Sequence, residues 1–147
     1  MGDRGNIVIR EEPSWLKPEI GSHEAVFLYG HWSGHDLPEI VRTGLTRGRE
    51  RWTDGQYLAR IMFEELVGSA RGGATGFGIA SRLHDNEYDL LVLLPGAQAL
   101  ARITEKAYAE HGFAALDDAP TISFEDYTAA SERTWDNLTE AESAAPR

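Results

Sequence analysis

T-G-F-G-I-A-S-R-L-H-D-N-E-Y-D-L-L-V-L-L, residues 75–94, decides how the chain is read. Residues 75–82 and 88–94 are two strand patterns, and the L-H-D-N-E between them supplies the polar, turn-forming residues of a hairpin. The second pattern, Y-D-L-L-V-L-L, is nearly continuous in apolar residues, which places it at the centre of a sheet with both faces covered. Pro95 and Gly96 stop it. On the first pattern, Gly76, Gly78 and Ala80 share one face and leave a shallow groove, while Phe77 and Ile79 on the other face supply core.

Working outward, residues 6–10 (N-I-V-I-R) and 25–31 (A-V-F-L-Y-G-H) read as two earlier strands, the second with Val26 and Leu28 on one face and Phe27, Tyr29 and His31 on the other. Residues 11–24, with Pro13 and Pro18, read as a loop. Asp36, Pro38 and Glu39 open a helix with Leu37, Ile40, Val41, Leu45 and Trp52 near one face. Its Gly44 and Gly48 point to close approach of another element or to a helix end near Gly48. Thr53 with Gln56 caps a second helix running to about Val67. Residues 97–111 are rich in helix formers and end at Gly112, a natural C-cap. Ser123 with Asp126 caps a last helix marked by Phe124, Tyr127, Trp135 and Leu138, fraying beyond Ser143. The fold class expected is therefore α+β: an antiparallel sheet of about four strands, in the order β-β-α-α-β-β-α-α, with helices packed on it. It is a single domain, 1–147, with an acidic helical C-terminal extension over 97–142.

Composition narrows the function. The 147 residues hold 24 Asp plus Glu against 14 Lys plus Arg, a net charge of -10, and no Cys, so disulfides, thiolate metal sites and cysteine nucleophiles are excluded. The charge is uneven: residues 1–109 hold 15 acidic and 12 basic residues, net -3, whereas 110–147 hold 9 and 2, net -7. Direct nucleic-acid binding lacks the basic footprint it needs. The longest apolar run, 90–94, falls far short of the ~20 residues of a membrane span, and the N-terminal residues do not resemble a signal peptide, so a soluble, cytoplasmic protein is expected. Arg42, Arg47, Arg49 and Arg51 form a local basic patch, whose default role is pairing with the carboxylates of the C-terminal helices.

The densest cluster of chemistry-bearing residues is Y-G-H-W-S-G-H, 29–35, where a strand runs into a capped helix. Backbone N–H groups and the helix dipole favour an anion at such a junction, and His, Ser and Trp suit a phosphate or a nucleobase. Against this, Asp36 would repel an anion, and Tyr29 and Trp32 serve equally well as core. The candidate ligand-binding residues are Tyr29, His31, Trp32 and Ser33, joined by Arg51, Tyr57, Arg60 and Glu87. His31 and His35 have helical spacing for a metal, but the intervening W-S-G breaks the helix and a third ligand would have to come from His84 or Asp85. No metal and no cofactor are assigned. Ser33 lacks the G-x-S-x-G elbow of a hydrolase nucleophile.

M-G-D-R-G-N-I-V at the start, Y-x-H-W-S-G from Tyr29, R-x-R-W from Arg49, Y-L-A-R-I from Tyr57, T-G-F-G-I from Thr75 and D-N-E-Y from Asp85 occur in one order over residues 1–94. In these motifs the chain resembles a group of small proteins of actinobacteria, their phages and haloarchaea that have no established activity. The resemblance implies that His31, Trp32, Asp85, Asn86 and Glu87 belong to the shared part, and that the C-terminal third is particular to this chain. The expectation is a non-catalytic protein that binds a small anionic, nucleotide-like ligand at the strand-to-helix junction. Two alternatives stand beside it: a phage- or mobile-element-type interaction or inhibitor module whose acidic C-terminal helices meet a basic protein partner, and a small His31-dependent hydrolase.

Overall fold

The apolar run over 90–94 does lie inside the sheet, but the strand before it in sequence is not its neighbour. In the computed structural model, which describes residues 2–11, 25–69 and 73–141, L-L-V-L-L forms β4 (Leu90–Leu94), buried at every position. Leu91 and Leu93 join the core on one face of the sheet, and Leu90, Val92 and Leu94 the core on the other. Six strands are arranged β3-β2-β1-β4-β5-β6, with β1 (Gly5–Ile9), β2 (Val26–Gly30), β3 (Phe77–Ala80), β5 (Ala99–Ile103) and β6 (Thr121–Ser123). The protein is α+β, but the expected four-stranded antiparallel sheet is replaced by a mixed six-stranded one, because β1 and β4 pair in parallel.

That pairing rules out the hairpin expected over 75–94. β3 pairs with β2 at the edge of the sheet, runs in the same direction as β4, and is separated from it by β2 and β1. Residues 81–89 are therefore a crossover that carries the chain back to the other end of the sheet. They are tied down on the way: Asn6 Nδ2 donates to the Asp85 carbonyl at 2.9 Å and to Asn86 Oδ1 at 3.1 Å, and the Glu87 N–H donates to the Arg4 carbonyl at 2.9 Å.

The helix expected over 97–111 starts only at Glu105. Residues 99–103 are β5, hairpin partner of β4, entered through a tight turn in which Gln98 takes a φ of 50°. A-L-A-R-I fits a helix by propensity, but its two-residue alternation puts Leu100 on one core and Ala101 and Ile103 on the other, so burial overrides propensity. α3 (Glu105–His111) then ends at Gly112 with φ 60°, as expected. β6 completes the sheet, so the expected helical extension over 97–142 instead contributes two strands.

Helices cover both faces. α1 (Leu37–Arg47) and α2 (Gly55–Val67) lie on one, packed so closely that a Cβ on Gly44 would stand 2.5 Å from Met62 Sδ. α1 is followed by Gly48, which removes Trp52 from the helix. Asp54 rather than Thr53 caps α2, accepting from the Tyr57 N–H at 3.2 Å. On the other face, Tyr108, Phe113 and Leu116 of α3 and the 3-10 turns after it cover part of the sheet. All but the first residue of the loop expected over 11–24, and the fraying expected beyond Ser143, lie outside the described residues. None of the described helices is long and apolar enough to cross a membrane.

Ser123 caps α4 (Phe124–Ala129), accepting from the Asp126 N–H at 3.0 Å, but the helix lasts only six residues. The chain after it winds around a buried guanidinium instead. Arg133 is 2% exposed and donates to the carbonyls of Asp126 (2.9 Å), Tyr127 (3.0 Å), Asn137 (2.6 Å) and Glu140 (2.8 Å). Phe124 and Tyr127 of α4 and Leu138 of the coil are buried as expected, but not on one continuous helix. Arg133→Ala would leave these carbonyls without their donor in a buried site, and should cost roughly 2–4 kcal/mol of stability, read as a lowered urea midpoint.

Candidate functional site

At the junction of β2 and α1 the anion-binding role is filled from within. Asp3 lies across it: its backbone N–H donates to the His31 carbonyl at 2.7 Å, its carbonyl accepts from the Gly34 N–H at 2.8 Å, and its carboxylate accepts from the His35 N–H at 3.1 Å. The same carboxylate bonds His35 Nδ1 and the Tyr88 hydroxyl. These bonds, the Tyr88 one foremost, hold the Asp3 carboxyl below its ordinary range, lift His35 above the usual histidine range, and push Tyr88 up to about 12. Tyr88 is stacked on Trp135, with ring centres 5.2 Å apart, and the Trp135 indole donates to the Gly34 carbonyl at 2.9 Å.

Tyr29 and His31 are brought together, with Oη and Nδ1 2.7 Å apart. Trp32 meets His31 edge-on, is 54% exposed, and lies against Gly76. Glu87 sits beside Arg4, which donates to it from its backbone (2.8 Å) and its guanidinium (3.4 Å). Ser33 stays at the junction, directly before the 3-10 turn over Gly34–Asp36, whereas Arg51, Tyr57 and Arg60 lie elsewhere. Arg51 and Arg60 line a different hollow, between α1 and α2; Arg51 rests on the Tyr57 ring at 4.4 Å and Arg60 pairs with Glu64 at 2.7 Å. They do not join Tyr29. Nor do the arginines mainly serve the C-terminal carboxylates: Arg42 pairs with Glu39 and Arg47 with Glu64 and Glu65, and only Arg49 reaches the last segment, at Glu125. His31 and His35 face different partners, and no three potential metal ligands cluster among the described residues.

A groove of about 220 Å³ opens beside Tyr29. Its floor follows from the strand register, which sets Asn6, Tyr29 and Gly78 in one cross-strand row; direct partners share a face. A Cβ on Gly78 would meet nothing within 4 Å. Ala80 and the edge of Ile79 continue the floor, and Arg82, His84 and Asp85 of the crossover form the opposite wall. The groove expected from Gly76, Gly78 and Ala80 is thus present except at Gly76, which turns to φ 105° under Trp32. Ile79, expected in the core, is 62% exposed, on the edge strand of the sheet. Burial first, and then the nearby Asp85 carboxylate, keep the Tyr29 phenol above its ordinary range, as a neutral hydroxyl. Arg4 is engaged by Glu87 and Asp85; Arg82 has no carboxylate partner among the described residues.

The expected set omitted Asn6, Gly78, Arg82, His84 and Asp85. A sequence signal existed for Asn6, a polar residue within an apolar strand, which the structure buries to 2%. Arg82, His84 and Asp85 resembled any polar turn, since nothing local distinguishes a turn from a crossover.

The Asp3–His35 pair sets a pH dependence. The raised His35 pKa gives stability that is complete below the unfolded-state value and is lost as pH rises through the folded one. The lowered Asp3 pKa gives stability that is lost as pH falls through its folded value. The pair should therefore act between the carboxylate and histidine ranges. Asp3→Asn should return the NMR titration of His35 to that of an unperturbed histidine. Comparison of the chain with family models, curated proteins and solved structures finds no match.

Proposed function

We propose that the protein is a non-catalytic binding protein whose groove beside Tyr29 takes one ring-sized, nucleotide-like moiety carrying an anionic group. The observation that carries this reading is the open floor at Gly78, a side-chain-free position in a cross-strand row with Tyr29 and Asn6, walled by Arg82 and His84. A planar group fits against a glycine and alanine floor with a phenol at its side. The volume, about 220 Å³, lies below the range of about 300–1,000 Å³ that holds a whole drug-sized ligand, so the groove suits a single ring with its charged group at the rim. Arg82 is the cation for that group, since a guanidinium matches a carboxylate or phosphate in a planar, two-point contact. The ligand site is thereby moved from the helix N-terminus, where Asp3 already acts as the anion, to the other side of Tyr29.

Adenosine monophosphate and benzoate are suitable probes, as both join a ring to an anion. A ligand that binds the native state raises its melting temperature, and at least one of the two should do so. Gly78→Leu puts a side chain into the groove from a position where a Cβ meets nothing within 4 Å, and Arg82→Ala removes the cation; each should abolish the shift while leaving the unliganded melting temperature nearly unchanged. Absence of any shift in the wild type, or a shift that survives both substitutions, would overturn the reading.

A further inference from the structure

The two edges of the sheet are finished differently. β6 is only three residues long, follows Pro120 and leads directly into α4. β3 carries F-G-I-A over four residues, and so has neither the charge nor the proline that commonly blocks a sheet edge. Its outward hydrogen-bonding groups follow from the register. The His31 N–H donates to the Gly76 carbonyl at 2.9 Å, and the same register joins Tyr29 with Gly78 and Phe27 with Ala80. In an antiparallel ladder hydrogen-bonded and non-hydrogen-bonded pairs alternate. Gly76, Gly78 and Ala80 therefore bond inward to β2, and the N–H and C=O groups of Phe77 and Ile79 point outward, with no partner among the described residues. Two of the three large exposed hydrophobic side chains among those residues, Trp32 and Ile79, flank this edge.

The groove and the edge meet at Gly78. A strand laid along β3 would bond to Phe77 and Ile79, and its residue opposite Gly78 would send its side chain to the groove face, about 4.5–5.5 Å away between Cβ positions. We propose that the groove is the side-chain pocket of a strand-addition site. An extended peptide of a partner protein pairs with the outer edge of β3, lays a ring-bearing side chain over Gly78, and presents a carboxylate on the same face to Arg82. This rests on the ring-and-anion reading of the groove and names what carries the ring. Main-chain bonds would supply affinity and the pocket specificity, the usual division in β-strand addition. Charge selects the occupant: Arg82 lacks a carboxylate partner among the described residues, and an acidic residue in the peptide provides one. A second copy pairing through its own β3 would bring only Gly78 and Ala80 to the groove face, leaving the pocket empty and Arg82 unmatched.

The test uses the whole chain and a fluorescein-labelled peptide of alternating valine and threonine, with one phenylalanine and one glutamate on the same face. Fluorescence anisotropy should show saturable binding. Ile79→Pro removes one outward N–H and none of the bonds to β2, at an edge position where proline is tolerated. It should weaken the peptide by about tenfold, the upper worth of one backbone hydrogen bond. Methylating a peptide amide that faces β3 removes instead a bond of the opposite sense, from the peptide N–H to a β3 carbonyl, on the unaltered protein, and should weaken binding by a similar factor even if Ile79→Pro fails to fold. Peptide binding indifferent to both changes overturns strand addition. Failure of the peptide alongside a retained small-molecule shift overturns it while leaving the groove reading in place; failure of both removes the two together. Self-association of the unliganded protein that Ile79→Pro abolishes would assign the edge to a second copy and overturn the partner-peptide proposal.

Discussion

The parallel pairing of β1 with β4 is the constraint from which the rest of the molecule follows. All other neighbouring strands in the sheet are antiparallel, and an antiparallel neighbour can be reached by a short turn. A parallel one cannot: the chain must return to the end of the sheet at which the first strand began. β3 finishes at the far end, level with Phe27, so residues 81–89 have to travel the length of the sheet before β4 starts. That journey brings Arg82, His84 and Asp85 across from Tyr29 and converts a bare patch of sheet into a groove. Asn6 is the anchor, because its side-chain amide holds the crossover at Asp85 and Asn86. Being buried, it exchanges water for these partners, and loss of either bond would leave a polar group unsatisfied.

How far the fold could be read from the sequence depends on whether each signal was local. The caps at Asp54 and Ser123 lie within a residue of where the motifs put them, and the C-cap at Gly112 coincides, because capping is settled by a few neighbouring residues. The burial of β4 on both faces was legible for the same reason: five consecutive apolar residues leave no polar face. Strand partnership was not legible. Polar residues between two strands suit a hairpin turn and a crossover equally, and only the distant strand β1 decides between them. Ala99–Ile103 shows the converse failure, where alanine-rich sequence favours helix locally while the demand of β4 for a second neighbour makes it a strand.

The electrostatic reading changes in the same direction. The acidity of the last quarter suggested a separable helical appendage, yet that segment supplies β6, buries Ile122, Phe124, Tyr127 and Leu138, and closes around Arg133. Its charges are the solvent side of an integral part of the domain. Of the arginines of the α1–α2 region, Arg42, Arg47 and Arg60 are likewise matched nearby, by Glu39, Glu64 and Glu65, and Arg51 rests on the Tyr57 ring. These partly exposed pairs contribute little to stability, but they engage most of the basic patch. What remains is the contrast between Arg4, engaged by two carboxylates, and Arg82, engaged by none among the described residues.

The site residues divide along the same line. Tyr29, His31 and Trp32 were legible as a cluster because they are contiguous, but the role expected of them was that of a helix N-terminus with an open anion position. Asp3 occupies that position, a long-range contact that a motif at residues 29–35 does not reveal. Filling it has a structural purpose: the Asp3 carboxylate joins the junction at His35 to Tyr88, the last residues before β4, and Tyr88 is stacked in turn on Trp135 of the C-terminal coil. One carboxylate thus fixes both ends of the crossover's landing site. The junction's hydrogen-bonding groups are spent internally, whereas the edge of β3 retains its own. Recognition needs groups that folding has left uncommitted, and among the described residues the outward backbone of Phe77 and Ile79, the bare face of Gly78 and the guanidinium of Arg82 meet that requirement side by side.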